Sequence, residues 1–389
     1  MTVYVSKPVF NLREKVSELD RPVGNHGSQL MKSHDVVESF DLVRAARKNL
    51  LINGDMRIWQ RGSSIASPAA TGKIYGPDHW MFEEGCTQLV ATLSRSTDVP
   101  YDQGFEYSAQ LNVDTPESAI DSSDFAQYMY FAEGNDVSHL RWGTNYAKPV
   151  TLSFWFKTTL AGWHYVSFNS ENGVDTYGAS IYSPANAWKK HVVTVTPPEQ
   201  GTWVQGNGRG LMIRIGLMNS ANVAQSAWNK WYHGGAAYNG FATAHSKLML
   251  TSGNKAWITG AQLEEGTVAT PFEFRPFQSE LELCMRYFQK SFMYADPPGT
   301  AAHQGGVHVL SWGDGNAAGI VLPVRMRDAG TWKLWPTNST NEGKVSSYGT
   351  ERDAVITYPG ETGYSFIAIT SGTANTYVRF QYSVDADFT

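Results

Sequence analysis

At 389 residues, with 42% hydrophobic, 13% aromatic and only 17% charged residues, the chain has the length for two or three domains and leans toward β-structure with aromatic-rich surfaces. A formal charge of −5 argues against nucleic acid as the main partner, since phosphate binding draws on a basic face. There is no Lys/Arg run to hold an anionic membrane, and no stretch approaches the roughly 20 apolar residues that insertion into a bilayer requires.

Residues 1–48 are the part that reads as helical. Asn11 is placed as an N-cap with Glu14 three residues on, and Leu12, Val16 and Leu19 follow on one face until Arg21-Pro22 ends the helix. A second helix starts at Ser33 and carries Val36, Val37, Phe40 and Val43 on one side before closing in Arg44, Arg47 and Lys48. Two short amphipathic helices have too little chain to bury their own stripes, so Leu12, Val16, Leu19, Val37 and Phe40 are expected to anchor on another surface. The start MTVYVSKPVF lacks the charged opening and the run of about 7 to 15 apolar residues of a secretory signal, which predicts assembly in the cytoplasm.

From 49 to 277 the pattern changes to short β-runs separated by turns. Residues 49–62 (NLLINGDMRIWQRG) read as an opening strand interrupted by Asn53-Gly54-Asp55, and 256–277 (AWITGAQLEEGTVATPFEFRPF) as its closing partner. Strands are also predicted over 148–158, 164–169, 188–196 and 210–218. No βαβ alternation is present, and a jelly-roll β-sandwich follows, with Trp59, Trp80, Trp155 and Trp257 in its core. Residues 278–389 predict a helix over 278–287 and then strands over 306–312, 318–326, 354–358, 364–370 and 377–384. The fold class is therefore mainly β: a helical N-terminal segment (1–48), a central jelly roll (49–277) and a C-terminal β-sandwich tip (278–389).

Three motifs occur in order: N-L-x-I-N-G-D-x-x-x-W-Q-R-G at 49–62, G-x-Q-L-E-x-G-x-x-x-T-P-F-E-x-R-P-F at 260–277, and R-Y-F-Q-K-S at 286–291. Together they resemble the tail fibre and receptor-binding proteins of tailed bacteriophages. That resemblance implies a virion location in the tail, a homotrimer, attachment to phage tail or adaptor proteins through 1–48, and recognition of host surface polysaccharide or lipopolysaccharide by a domain similar to carbohydrate-binding modules. A capsid or neck fibre, or a polysaccharide-degrading tailspike, is the alternative. One departure is local: the family's Pro-Thr pair after Met-Arg is replaced here by Asp328 and Ala329 after Met326-Arg327.

Ten of the 13 tryptophans lie between 49 and 277. Sugar rings are held by flat aromatic faces with amide and hydroxyl partners, and the densest such stretch is 228–241. Trp228, Trp231, Tyr232, Tyr238 and Asn239 are the glycan-binding candidates, with padding of the jelly roll as the plainer reading. Asn53, Asp55 and Glu264 offer hard oxygens for a calcium ion, or ordinary turn hydrogen bonds. Catalysis has little support: no G-x-S-x-G, H-E-x-x-H or G-x-x-x-x-G-K-[ST] occurs, and the acid pairs Asp121/Asp124 and Glu83/Glu84 read as solvated. Cys86 and Cys284 read as two buried free thiols.

Overall fold

The computed structural model describes residues 48–68, 72–171, 173–220, 224–225, 229–233, 240–241, 247–312, 315–347, 349–370 and 376–388. The expected helices of the first 47 residues, with Leu12, Val16, Leu19, Val37 and Phe40, lie outside the described residues. Asn49–Thr389 form one compact unit.

The described strands begin with β1 (Ser64–Ala66), β2 (Lys73–Tyr75), β3 (Trp80–Glu84), β4 (Val90–Ser96), β5 (Ser108–Thr115) and β6 (Phe125–Glu133), followed by the short helix α1 (Gly134–Val137). Then come β7 (Val150–Thr158), β8 (Gly162–Asn169), β9 (Thr176–Ser183), β10 (Lys189–Val195) and β11 (Arg209–Asn219). Short β12 (Ala224–Gln225), β13 (Lys230–Tyr232) and β14 (Gly240–Phe241) precede the long β15 (Lys255–Glu265). Two antiparallel sheets result, one ordered β1-β4-β5-β15-β7-β10 and the other β13-β9-β8-β11-β6-β3-β2.

Alternation along each strand supplies the core between them. Phe82, Tyr128, Phe154, Phe156, Phe168 and Ile213 all point into it. Each such side chain contributes about 1.5–3 kcal/mol through burial. Trp59 and Trp80 lie in the core as expected; Trp257 is buried, but between the inward-facing Ala256 and Ile258 it sits on the other face of β15, where its Nε1 donates to Gln110 Oε1 at 2.9 Å. Trp155 is not in the core: with Phe154 and Phe156 facing inward, the two-residue period turns it outward and leaves it half-buried.

Residues 49–62 do not form the expected strand. Polar side chains satisfy this backbone locally, with Asn49 Oδ1 accepting from Leu51 N and Leu263 N at 3.0 Å each. Asn53 and Met56 take positive φ (54° and 57°), which no extended strand accommodates. The segment still runs beside β15, through Leu50 N to Leu263 O at 2.8 Å and Ala261 N to Gly54 O at 2.9 Å. The neighbourhood expected of the first and last segments is real, although only one of them is a strand.

Helix α2 (Phe277–Met285) and strands β16 (Phe288–Lys290), β17 (Val307–Trp312), β18 (Asn316–Ala318) and β19 (Thr331–Trp335) follow. β20 (Lys344–Ser347), β21 (Thr350–Gly360), β22 (Gly363–Ile369) and β23 (Tyr377–Asp385) complete the chain. The strand expected over 318–326 ends at Ala318. Beyond it the backbone at Gly319 lies so close to Tyr364 O that a Cβ would sit 2.0 Å away, and Pro323 has no N–H to offer a ladder. Pairing runs from β23 through β17, β18, β22, β21 and β20 and back to β23, so this sheet closes on itself around Phe380, Ile367, Val345 and Leu334.

A third cluster ties this sheet to the sandwich. Cys284, Tyr287 and Phe388 pack on Ile58, Met81, Met129 and Phe131, and Arg286 forms a forked pair with Glu133 at 2.7 and 2.6 Å. Cys86 and Cys284 are buried and free.

Candidate functional site

The seven-stranded sheet has an inner face on the core and an outer face, and on β8 and β9 the outer positions carry the chemistry. Val166, Phe168, Tyr177, Ala179 and Ile181 take the inner positions. That leaves Trp163, Tyr165, Ser167 and Asn169 on β8, and Thr176, Gly178, Ser180 and Tyr182 on β9, pointing away.

Register aligns these residues in rows across the sheet. Lys230, Gly178, Ser167, Arg214, Met129 and Met81 lie side by side on β13, β9, β8, β11, β6 and β3. In the next row Tyr165 faces Gly216 and Gln127. A Cβ on Gly216 would fall 1.9 Å from the Tyr165 ring, so glycine there lets the phenol cross the sheet and donate to Gln127 Oε1 at 2.6 Å. Burial pushes the Tyr165 pKa up, against the pull of the Arg214 charge, and keeps the phenol a neutral donor.

One row further on, Trp163 and Tyr182 are cross-strand neighbours, 47% and 42% exposed. Their ring centroids are 5.4 Å apart at 66°. Ser167 Oγ donates to Asn169 Oδ1 at 3.0 Å and Asn169 Nδ2 to Thr176 Oγ1 at 2.7 Å. Ser167, Asn169 and Thr176 are themselves buried, so the part of this face open to a sugar is the Trp163–Tyr182 pair, whose ring faces can stack on the apolar face of a sugar ring. The other end of the face, around Met129, Phe131 and Met212, is covered by Cys284, Tyr287 and Phe388.

Of the glycan candidates from the sequence, Trp228, Tyr238 and Asn239 lie outside the described residues. Tyr232 is paired with Thr176, which puts it on this outer face. Trp231 is paired with Tyr177 and points the other way. There it meets Trp203, Trp142 and Tyr177 at 5.4, 5.5 and 5.5 Å, and its Nε1 donates to Thr196 O at 2.7 Å. Trp163, Tyr182 and Arg214 were not singled out by sequence reasoning. The available signal was the lone arginine inside the apolar run Gly210-Leu-Met-Ile-Arg214-Ile-Gly-Leu-Met218.

The expected calcium oxygens are engaged by the protein itself. Asn53 Oδ1 accepts from Ile58 N at 2.9 Å while its Nδ2 donates to Ile58 O and Asp78 O at 2.9 and 3.1 Å. Glu264 accepts from Thr270 N and Oγ1 at 2.8 and 2.7 Å. Asp55 is paired with Arg57 at 3.0 Å, and burial, only partly opposed by Arg57, raises its pKa to about 6. A different trio, Cys86, Glu117 and Asp124, has its ligand atoms within 4.8 Å of one another. There Glu117 already accepts from the backbone N–H groups of Thr87, Gln88 and Ser118 at 3.0, 2.9 and 3.2 Å.

The acid pairs are not simply solvated. Asp124 is buried and accepts from Asp121 N at 2.8 Å, while Glu83 and Glu84, adjacent on β3, face opposite sides of the sheet.

No protein-family model matches this chain, and no curated protein sequence does. Solved structures similar to it include the enzymatically active domain of tailspike protein 4 of bacteriophage CBA120, at 15% identity and a TM-score of 0.31, covering 56% of this chain and 22% of that one. The CBM22-1 xylan-binding domain from Paenibacillus barcinonensis is similar at 11% identity and 0.28, covering 57% and 96%. A family 11 carbohydrate-binding module of a Clostridium thermocellum cellulase gives 14% and 0.26, covering 52% and 99%. The chain thus spans about a fifth of the tailspike structure and nearly all of the binding modules. Scores of this size assign neither family nor activity.

Proposed function

We propose that this chain is a non-enzymatic fibre protein of a phage virion, placed in the tail, that reads host-surface glycans with the outer face of its seven-stranded sheet. The observation that carries the reading is the exposed, cross-strand Trp163–Tyr182 pair at the end of this face. The three ordered motifs of the sequence supply the fibre context. In this reading residues 1–48 attach the chain to tail or adaptor proteins, 49–277 bind glycan, and 278–389 form a trimerising tip. Exposed Val321, Val355, Tyr358 and Tyr377 on the C-terminal sheet offer apolar surface for neighbouring copies. Three copies turn several weak sugar sites into one avid contact.

The test is equilibrium binding of the full chain to a panel of purified bacterial capsules and lipopolysaccharides, comparing wild type with Trp163→Ala and Tyr182→Ala. At least one glycan binds, each variant weakens it tenfold or more, and the thermal midpoint stays put because both rings are half in solvent. Wild-type binding by the double variant overturns the assignment of this face. Shortened polysaccharide after incubation overturns the non-enzymatic part.

A further inference from the structure

The geometry points to a second sugar site, in the cleft where the C-terminal sheet meets the edge of the sandwich, that takes a neutral sugar carrying an N-acetyl group. The cleft holds about 580 Å³, within the size range of small-molecule sites. One wall is the face of the C-terminal sheet that turns away from its own core. On β19 Leu334 points into that core, so Thr331, Lys333 and Trp335 point out, with Thr331 and Lys333 opposite Asp385 and Ser383 of β23. The other wall is β2, the edge strand of the seven-stranded sheet. There Ile74 faces the sandwich core and leaves Lys73 and Tyr75 on the cleft side. Met81, Phe288 and Phe388 supply apolar lining.

Two polar groups inside the cleft have no partner. Trp335 and Ser383 are 5% and 4% exposed, yet the indole Nε1–H and the Ser383 hydroxyl make no hydrogen bond among the described residues. Groups this deep are normally satisfied. Other buried indoles of the chain follow that rule: Nε1 of Trp59 donates to Met56 O, that of Trp80 to Ile52 O and that of Trp257 to Gln110 Oε1. Trp335 and Ser383 are diagonal neighbours on adjacent strands, about 7–8 Å apart along the backbone, a span that one substituted sugar ring bridges. Gly299 lies beside the indole with φ of 86°, and a Cβ there would stand 3.3 Å from Trp335 Nε1. Glycine keeps that donor approachable.

The charges around the cleft are already matched. Lys73 pairs with Glu83 at 3.4 Å, Lys333 with Glu342 at 3.0 Å, and Arg61 with Asp385 and Asp387 at 2.9 and 2.8 Å. A charged ligand would have to break one of these pairs or enter without a counter-ion, so the cleft favours a neutral one. What remains is one obligate donor, the Trp335 N–H, with the hydroxyls of Ser383 and Thr331 and the apolar lining. An acetamido group matches that set: its carbonyl accepts from the indole and its methyl meets Met81, Phe288 or Phe388. The ring hydroxyls then exchange hydrogen bonds with Ser383 and Thr331. This site stands on the cleft alone and is independent of the outer-face reading.

The experiment titrates the full chain with the methyl glycosides of N-acetylglucosamine and of glucose. Binding is followed by the nitrogen–proton signals of the indoles, the Trp335 signal being the one that Trp335→Phe removes, and by calorimetry. The N-acetyl sugar shifts the Trp335 signal and binds several-fold more tightly than the glucoside, the worth of about one hydrogen bond. Trp335→Phe, which keeps a ring but loses the N–H, erases that preference. Ser383→Ala weakens the N-acetyl sugar while melting at the wild-type temperature, because it removes an unpartnered hydroxyl. Trp163→Ala leaves the Trp335 response in place. No shift at Trp335 with either sugar, equal affinities for the two, or a preference that survives both cleft variants overturns the inference. A lowered melting temperature for Ser383→Ala overturns it too, since the hydroxyl would then have a partner in the protein. Sugar binding that Trp163→Ala abolishes and Trp335→Phe leaves intact sinks the cleft site while the outer-face reading stands.

Discussion

His79 Nδ1 lies 2.6 Å from Asp387 Oδ1, joining the start of the sandwich to the end of the chain across 308 positions of sequence. His79 Nε2 is 2.8 Å from Phe131 O, its ring stacks on Tyr287 at 3.8 Å, and its backbone takes φ of 68°, a left-handed conformation that surrounding contacts have to hold. Asp387 also accepts from Arg61 at 2.8 Å. Burial pushes its carboxyl up, but His79 and Arg61 outweigh that and hold it below the usual carboxylate range.

Asp387→Ala therefore leaves His79 Nδ1 without its buried partner and Arg61 with Asp385 as its remaining close carboxylate, and the expected cost is about 3 kcal/mol. Denaturant unfolding followed by tryptophan fluorescence measures it. Because the carboxyl is depressed, its contribution is present above the unfolded pKa and is lost as pH falls through the folded one. A variant within about 0.5 kcal/mol of wild type would show that the joint does not depend on this pair.

How much of this was legible in the sequence depends on where each residue's partners lie. β7, β8, β10 and β11 announce themselves because alternation or continuous apolarity is written in one short run. Residues 49–62 misread as a strand because Asn49 and Asn53 satisfy the backbone with their own side chains, which apolar spacing does not register. The outer face is a product of register: Ser167 meets Arg214 and Trp163 meets Tyr182 only after strands pair. The aromatic density at 228–241 pointed to the right sheet edge, and pairing then sent Trp231 inward and Tyr232 outward.

That division predicts opposite phenotypes for two tryptophans. Trp231→Ala removes edge contacts with Trp142, Trp203 and Tyr177 and leaves Thr196 O without its donor. For a half-buried ring the expected loss is about 2–3 kcal/mol of stability, read as a lowered denaturation midpoint. Trp163→Ala leaves that midpoint in place and affects glycan binding. If Trp231→Ala unfolds like wild type while losing glycan, the inward placement is wrong.

Gly54 tests the seam between the irregular opening segment and β15. A Cβ there would lie 2.0 Å from Ala261 O and 3.2 Å from Asn49 Nδ2, and the first of these is backbone that cannot swing aside. Gly54→Ala forces the seam apart, with an expected destabilisation of about 1–3 kcal/mol or more. The hydrogen bond from Ala261 N to Gly54 O gives a direct reporter: exchange of the Ala261 amide accelerates in the variant. An unchanged exchange rate with full stability would rule out the close approach.

His191 sets an acid limit on the sandwich. The ring is buried on β10 beside Phe154, at 5.6 Å, and its Nε2 has no partner. Burial first, then the neighbouring charges of Lys189 and His164, lower its pKa to about 4. In the unfolded chain the imidazole titrates near about 6.5, so between these values the unfolded state binds the extra proton. Stability is therefore intact above about 6.5 and falls as pH drops toward 4, by up to about 3 kcal/mol. Asp55 acts with the opposite sign in an overlapping window: its raised folded pKa of about 6 favours the folded state at low pH, and that gain fades as pH rises. The measurement is consequently a difference, unfolding free energy against pH for wild type and His191→Gln. The variant loses the downward slope between pH 6.5 and 4; parallel curves would mean that His191 is solvated enough to protonate in place.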